Sequence, residues 1–236
     1  MIGVTVLLTR WLHAVVLSHL AEATRASHEL RPWSVYGLMG HDGRAGRIRT
    51  TMIVWINGAF GAGKTTLAEE LHRRLPDALL FDPEYVGAIL VKWAPPAPSG
   101  DFQDIPLWRK LVADFAIGLA AEYGRTLIVP MTLVDTMYRD EIFGLITDAG
   151  QPLLHVFLDV PAVELRRRID AQILVDDPAA DAQARAFRHS NIDRCVAARD
   201  GLPPETLLLR GDQHTPAELA DLVMAAEAFS VPAGHR

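Results

Sequence analysis

The residues best suited to chemistry lie in one glycine-rich segment, WINGAFGAGKTT, at positions 55–66. Within it, positions 58–65 follow the spacing G-x-x-x-x-G-K-T. Glycines let backbone N–H groups approach an anion closely. A helix that begins at the lysine adds its positive N-terminal end. The spacing therefore predicts a loop that binds the phosphates of a nucleotide, a P-loop.

The predicted loop implies ATP and Mg²⁺ as cofactors, each with its own contacts. Lys64 is expected to reach the β- and γ-phosphates, and the Thr65 hydroxyl is expected to bind the magnesium ion. The backbone of the whole segment would surround the phosphates. Its residues are Gly58, Ala59, Phe60, Gly61, Ala62, Gly63, Lys64, Thr65 and Thr66.

The remaining sequence favours a small kinase over a switch or a motor. A GTPase would carry an N-K-x-D motif, which the chain lacks, and the third predicted strand ends in LIVPMT without an acidic residue. Asp159 follows the fourth predicted strand. We interpret it as a strand-end or helix-cap residue, with magnesium binding as the alternative.

Asp82 is the candidate acid–base group. It ends the second predicted strand, at the edge of the sheet where the P-loop lies and where ligands bind. A carboxylate there can accept the proton of an acceptor hydroxyl or hold a water on Mg²⁺. It can also cap the helix that follows, and the roles are compatible.

Arginines flank the irregular segment 171–186 on both sides. A loop of that length in a compact domain is typical of a lid, expected here at about 171–190. One or two arginines can close over the phosphates and neutralise charge in the transition state, while the others remain solvated or paired. The candidates are Arg166, Arg167, Arg168, Arg185, Arg188 and Arg194.

Apolar strands alternate with helices after residue 51, which predicts an α/β fold with a five-stranded, mainly parallel sheet. This P-loop domain is expected to cover residues 51–230. The predicted strands are 52–57, 77–82, 125–132, 153–159 and 206–210. The predicted helices are 63–75, 84–92, 106–123, 134–150, 161–170, about 188–199 and 215–229.

Composition restricts partners and location. The 236 residues carry a net charge of −6, which argues against a nucleic-acid partner because phosphate backbones require a basic surface. Cys195 is the single cysteine, so the chain forms no internal disulfide, as expected for a cytoplasmic protein. No apolar run reaches the length of a membrane span.

Residues 1–50 differ from the rest of the chain. Apolar residues recur loosely at helical spacing from Val4 to Leu20, and a glycine- and arginine-rich stretch follows. One hypothesis is that Met52 is the natural start and that the first fifty residues are an upstream extension. The alternative is an accessory helix or a membrane-surface segment.

Five stretches resemble the tunicamycin-resistance protein family of bacterial P-loop ATP-binding proteins. DFQDIPLWR and LIVPMTLV are the most specific of them. The stretches are MIVWINGAFGAGKTTLAEELHRRL (52–75), FDPEYVG (81–87), DFQDIPLWR (101–109), LIVPMTLV (127–134) and NIDRCV (191–196). The resemblance implies a three-layer sandwich of the nucleoside-monophosphate-kinase type.

The resemblance also implies an activity, with alternatives. Either the protein phosphorylates tunicamycin, a nucleoside antibiotic, or it sequesters the drug in an ATP-dependent manner without chemistry. A housekeeping kinase for another small metabolite is the third possibility. Family members with a C-terminal amphipathic helix associate with membrane. This chain ends in AFSVPAGHR, so at most weak association is expected.

The family stretches add candidate residues. Trp108 would stack on a base or pack in the core, and Arg109 would bind a phosphate or a uracil carbonyl. Phe102 would form part of the acceptor pocket, and Met131 and Thr132 would contact the substrate at the end of the third strand. Together with the lid arginine that lies in NIDRCV, the predicted catalytic residues are Lys64, Asp82 and Arg194.

Overall fold

A five-stranded sheet forms the centre of the protein. The computed structural model describes residues 51–95 and 97–226, so the expectations for residues 1–50 lie outside it. The strands are β1 (Ile53–Gly58), β2 (Leu79–Leu80), β3 (Leu127–Pro130), β4 (Leu153–Asp159) and β5 (Leu207–Arg210). They lie in the order β2-β3-β1-β4-β5, and every pairing is parallel.

Helices connect the strands and cover both faces of the sheet. They are α1 (Lys64–Arg74), α2 (Glu84–Trp93), α3 (Pro106–Tyr123), α4 (Thr136–Asp148), α5 (Ala162–Asp170), α6 (Pro178–Ala197) and α7 (Pro216–Ala225). Short 3₁₀ turns lie at Phe102–Asp104 and Ala198–Gly201.

The central strand β1 contributes to two separate cores because its side chains alternate between the faces of the sheet. Val54 and Ile56 pack with apolar residues of α1, α5, α6 and α7. Ile53 and Trp55 pack with apolar residues of α2, α3 and α4. Every residue of β1 is buried, as a parallel sheet covered on both faces requires. The three-layer α/β fold predicted from the sequence is confirmed.

Helix α6 begins about ten residues earlier than the sequence indicated. The sequence predicts an irregular segment at 171–186, but only 171–177 is irregular. Asp177 caps the helix by accepting a hydrogen bond from the N–H of Ala180 at 2.7 Å, and Pro178 occupies the first turn. The small alanines of this stretch are good helix formers. The extended helix carries three of the candidate arginines, Arg185, Arg188 and Arg194.

Gly58 ends β1 in a backbone conformation that requires glycine. Its φ is +141°, and a Cβ there would lie 2.9 Å from the backbone oxygen of Leu158. Gly144, in the middle of α4, has open space around the position of a Cβ. The two glycines therefore form a matched pair for testing the packing of the sheet.

We expect Gly58→Ala to lower the free energy of unfolding by about 1–3 kcal/mol, because it adds backbone strain and a steric contact. Gly144→Ala should leave stability unchanged or raise it by up to about 1 kcal/mol, since alanine favours the helix. Urea denaturation of both variants provides the measurement. Equal stability of the two variants would contradict this description of β1.

Candidate functional site

The predicted P-loop connects β1 to α1 and leaves the start of the helix open. Gly63 precedes the helix with φ 99°, a left-handed conformation. No side chain caps α1, and its first turn contains no acidic residue. The N-terminal N–H groups of a helix attract anions when nothing else neutralises them. The local structure therefore supplies a site for phosphate oxygens.

Lys64 holds its ammonium group at the mouth of the loop. Its Nζ donates to the backbone oxygens of Gly58 at 3.1 Å and Ala59 at 2.8 Å. It also donates to Oγ1 of Thr132 at 2.7 Å. Burial lowers the pKa of Lys64 from 10.5 to about 8, although the carboxylates of Glu84 and Asp82 act in the opposite direction. The group is thus a cation at neutral pH with incomplete solvation, which favours binding of an anion.

Arg168 supports the loop from behind. Its Nη1 lies 3.4 Å from the backbone oxygens of both Gly61 and Ala62, and its Nη2 donates to the oxygen of Gly211 at 2.9 Å. Glu164 accepts from its Nε at 2.7 Å and fixes the guanidinium. By holding these two carbonyl oxygens, Arg168 favours a loop conformation in which the backbone N–H groups face the ligand. The neighbouring arginines 166 and 167 form surface pairs with Asp193 and Glu164 instead.

Asn57, the residue before the loop, ties β1 to the segment that follows β3. Its Oδ1 accepts from the N–H of Gly58 at 2.8 Å and of Leu133 at 2.9 Å. Its Nδ2 donates to the oxygen of Leu133 at 2.6 Å and lies 3.4 Å from Nε2 of His155. Burial lowers the pKa of His155 to about 4, so this ring is neutral at physiological pH. The amide therefore sets the distance between the P-loop and Thr132.

A cleft of about 480 Å³ opens above the carboxyl ends of β1, β2 and β3. Ligands of open α/β sheets bind at this edge. The lining residues are Phe60, Gly61, Gly63, Lys64, Thr65, Thr66, Glu69, Leu80, Phe81, Asp82, Glu84, Tyr85, Pro130, Met131, Thr132, Gln172 and Arg188.

Several predicted site residues lie in this cleft. Asp82, Met131 and Thr132 line it together with much of the P-loop. Oδ1 of Asp82 accepts from the N–H of Glu84 at 2.9 Å, so Asp82 also binds the start of α2. Of the other loop residues, Gly58 and Ala59 contribute the oxygens that bind Lys64, and Ala62 is buried beneath the loop.

Three predicted substrate residues lie outside the cleft lining. Trp108 is fully buried, packs 5.1 Å from the ring of Phe102, and donates from Nε1 to the oxygen of Pro83 at 3.2 Å. The Phe102 ring fills the space beside Gly87, where a Cβ would lie 2.9 Å away. These contacts are those of core packing.

Arg109 is also buried, with 8% of its surface exposed. Its Nε donates to Glu141 at 2.5 Å, its Nη1 donates to the backbone oxygen of Gln103 at 2.6 Å, and its guanidinium lies 4.2 Å from the centre of the Tyr138 ring. The arginine that the sequence suggested as an anion ligand is therefore paired inside the protein.

Gln103 connects this interior cluster to the cleft. Nε2 of Gln103 donates to the backbone oxygen of Thr132 at 2.9 Å, and the backbone oxygen of Gln103 accepts from Arg109. The hydroxyl of Thr132 in turn accepts from Lys64. The DFQDIPLWR stretch thus acts on the site indirectly, by fixing the segment that carries Thr132.

The arginine in the cleft is Arg188, not Arg194. Arg188 lies 5.6 Å from the centre of the Phe60 ring and donates from Nη1 to Oε1 of Gln172 at 3.1 Å. Its Nε has no hydrogen-bond partner among the described residues, and burial lowers its pKa. Arg194 is exposed and lies outside the lining.

Helical spacing carried a signal for Arg188. It shares one stripe of α6 with the buried residues Ala184, Ile192 and Cys195, at intervals of four, four and three. Arg194 lies next to Cys195 and thus about 100° away from that stripe. The predicted helix at about 188–199 already contains three residues of this stripe, and the start at Pro178 adds Ala184 to it.

Asp159 has a structural role at the end of β4. Its Oδ2 pairs with Nη1 of Arg199 at 2.9 Å, and its backbone oxygen accepts from Gly211 at 3.0 Å. It lies outside the cleft lining. Within residues 51–95 and 97–226, no three histidine, cysteine or acidic side chains form a metal cluster. In the same residues, no helix has the length and apolar character needed to cross a membrane.

A family model described as AAA domain matches residues 53–191, from the first strand through most of α6. The chain belongs to the AAA domain family. The match includes the P-loop, the cleft and Arg188. A comparison with curated protein sequences finds no match.

Solved structures similar to this AAA domain include several kinases. The tunicamycin resistance protein of Deinococcus radiodurans is 27% identical with a TM-score of 0.57, over 74% of this chain and 94% of that chain. The APS kinase of Mycobacterium tuberculosis, in complex with AMPPNP and APS, is 22% identical with a TM-score of 0.56, over 78% and 99% of the two chains. A sugar kinase from Janibacter sp. HTCC2649 is 18% identical with a TM-score of 0.50, over 76% and 96%. The two lower identities support the fold alone, and together these likenesses support a P-loop kinase-like domain.

The affinity for MgATP should fall as pH rises above about 8. The pKa of Lys64 is lowered to about 8, and bound phosphates raise it again, so binding above this pH requires uptake of a proton. The dissociation constant should therefore rise by up to about tenfold per pH unit above pH 8. Calorimetric titration between pH 7 and 10 measures it. Lys64→Met serves as the control and should bind weakly without this slope; a flat profile for the wild type would contradict the role of Lys64.

Arg109→Gln tests whether Arg109 acts through stability or through ligand contact. Removing the guanidinium leaves the backbone oxygen of Gln103 without its partner, while the half-exposed carboxylate of Glu141 remains solvated. The free energy of unfolding should therefore fall by about 1–3 kcal/mol. MgATP affinity of the folded fraction should stay within about twofold, because the side chain lies outside the cleft. Urea denaturation and calorimetry on one preparation separate the two effects. Unchanged stability with lost ligand affinity would assign Arg109 to the binding site.

Proposed function

We propose that the protein is an ATP-dependent phosphotransferase that modifies a hydroxyl group of a nucleoside-like small molecule, with tunicamycin as the candidate acceptor. The proposal rests on the residues that line one cleft. A phosphate-binding loop, the carboxylate of Asp82 and the guanidinium of Arg188 line the same space. A carboxylate in the same cleft as a phosphate-binding loop is suited to accept the proton of an acceptor hydroxyl.

The roles of the residues follow from their positions. Lys64 and the loop N–H groups hold the β- and γ-phosphates. The acceptor oxygen attacks the γ-phosphorus, the bond between this phosphorus and the bridging oxygen of ADP breaks, and Asp82 accepts the hydroxyl proton. Arg188 stabilises charge on the transferring group. Gln103 and Asn57 act as positioning residues through Thr132 and Leu133.

Magnesium fits this arrangement through oxygen ligands. Thr65 is exposed at the start of α1 and lines the cleft together with Asp82. Mg²⁺ in kinase sites is held by few protein oxygens together with phosphate oxygens and water. Bound there, the ion would neutralise charge on the β- and γ-phosphates.

Two observations support a nucleoside-like acceptor. The similarity to the tunicamycin resistance protein covers 94% of that chain, and the stretches DFQDIPLWR and LIVPMTLV form the Gln103–Thr132 connection beside the cleft. The cleft also presents Phe81, Tyr85 and Met131, which offer apolar contact to a base or a sugar face.

The direct test is incubation of the protein with tunicamycin and MgATP, followed by mass spectrometry. We expect a product heavier by one phosphoryl group, together with ADP, and neither with Lys64→Ala. Binding of the drug in the presence of a non-hydrolysable ATP analogue, with no product from ATP, would favour sequestration instead. Absence of both product and ATP turnover across uridine-containing acceptors would overturn the proposal.

Arg188 and Arg194 form a matched pair for the charge-stabilising role. Arg188→Ala should lower the rate constant for transfer by about 10²–10³, because a donor beside the transferring group is lost. Arg194→Ala should stay within about twofold of the wild type. Single-turnover transfer at saturating MgATP provides the comparison. The opposite ranking would restore Arg194, the residue indicated by the sequence, as the lid arginine.

A further inference from the structure

Charge is distributed unevenly within the cleft. Its two cationic side chains, Lys64 and Arg188, both lie on the nucleotide side: one belongs to the P-loop, and the other lies over the ring of Phe60 in that loop. The opposite side is formed by the ends of β2 and β3 and by the start of α2. We call this side the acceptor wall and define it as Phe81, Asp82, Glu84, Tyr85, Pro130 and Met131.

The charged groups of the acceptor wall are both carboxylates. Asp82 follows β2, and Glu84 lies in the first turn of α2. Glu84 lines the same cleft as Lys64 and Arg188. Its negative charge favours the charged forms of both cations, which raises the pKa of each against the effect of burial. The other four wall residues offer aromatic or apolar contact.

Arg109, which the sequence suggested as an anion ligand, does not belong to the wall. Arg109 is buried and paired with Glu141 and the backbone of Gln103. An enzyme that transfers phosphate to an anionic acceptor needs cations for that anion, since burying an unpaired negative charge beside carboxylates is costly. Among the described residues, the wall has no such cation.

We infer that the acceptor carries no phosphate or carboxylate group, and that Glu84 is the residue that excludes anionic acceptors. The inference rests on the proposed function, which assigns this side of the cleft to the acceptor. It names the acceptor class as neutral or cationic hydroxyl compounds with an apolar or aromatic face. Nucleoside monophosphates, sugar acids and sugar phosphates are excluded.

The first experiment compares two acceptors that differ by one phosphate group, uridine and uridine 5′-monophosphate. ADP formation at saturating MgATP should be at least about tenfold more efficient with uridine than with uridine 5′-monophosphate. The 5′-phosphate is an anion, and a carboxylate within several ångströms repels it. Glu84→Gln should reduce this ratio by about fivefold or more. Preference of the wild type for uridine 5′-monophosphate would overturn the inference.

A second experiment needs no acceptor and so separates this inference from the proposed function. Adenosine 5′-tetraphosphate extends one phosphate beyond the γ-position, toward the acceptor wall. Its affinity relative to ATP should rise about fivefold in Glu84→Gln and remain unchanged in Glu122→Gln, which alters an exposed acid on α3.

The two experiments give distinct outcomes. If neither uridine compound is phosphorylated but the tetraphosphate ratio responds to Glu84, transfer to uridine-type acceptors fails while the charge selection is supported. If the ratio is the same in wild type, Glu84→Gln and Glu122→Gln, the charge selection is wrong whatever acceptor the protein uses.

Discussion

The buried amide of Asn57 is the interaction on which the site depends. β1 and β3 are paired up to Pro130. Beyond this point the two strands diverge: β1 continues into the P-loop, and β3 continues into the segment with Thr132. Two hydrogen bonds between the Asn57 side chain and both backbone groups of Leu133 hold these segments at a fixed distance, and Oδ1 also accepts from the N–H of Gly58 at the start of the loop. A buried amide with paired groups is specific in position, since any displacement leaves a polar group unsatisfied.

That distance has an electrostatic consequence. With the segments held together, the ammonium of Lys64 contacts three oxygens, one of them on Thr132, and loses much of its water. The lowered pKa of Lys64 records this loss of solvation. Phosphate oxygens would restore strong charge pairing to the ammonium. Because the ammonium already loses much of its water on folding, less of the binding free energy is spent on removing that water. Arg188 is also poorly solvated: burial lowers the pKa of its guanidinium, which lies near the ring of Phe60. Phosphate oxygens would stabilise its charge in the same way.

Much of the architecture was readable from the sequence because it depends on local patterns. Apolar runs placed the five strands to within about two residues, and the glycine spacing placed the P-loop. Asp82 was located at the correct edge because parallel strands end on the same side of the sheet. Trp108, Arg109 and Arg194 show the limit of such patterns. Whether an arginine faces a ligand or a protein carboxylate depends on tertiary partners such as Glu141, more than thirty residues away. The start of α6 was missed because a polar, alanine-rich stretch has weak periodicity. Arg188 was among the candidate arginines, but the sequence favoured Arg194.

Transfer of a phosphoryl group from ATP to a small molecule within this cleft can be followed with ATP that carries a labelled γ-phosphate. The protein is incubated with this ATP and a protein-free extract of small molecules supplemented with tunicamycin. We expect label in an organic product, and none in that product with Lys64→Ala or Asp82→Asn. Label confined to ATP and inorganic phosphate, or an organic product that persists in Lys64→Ala, would contradict transfer within this cleft.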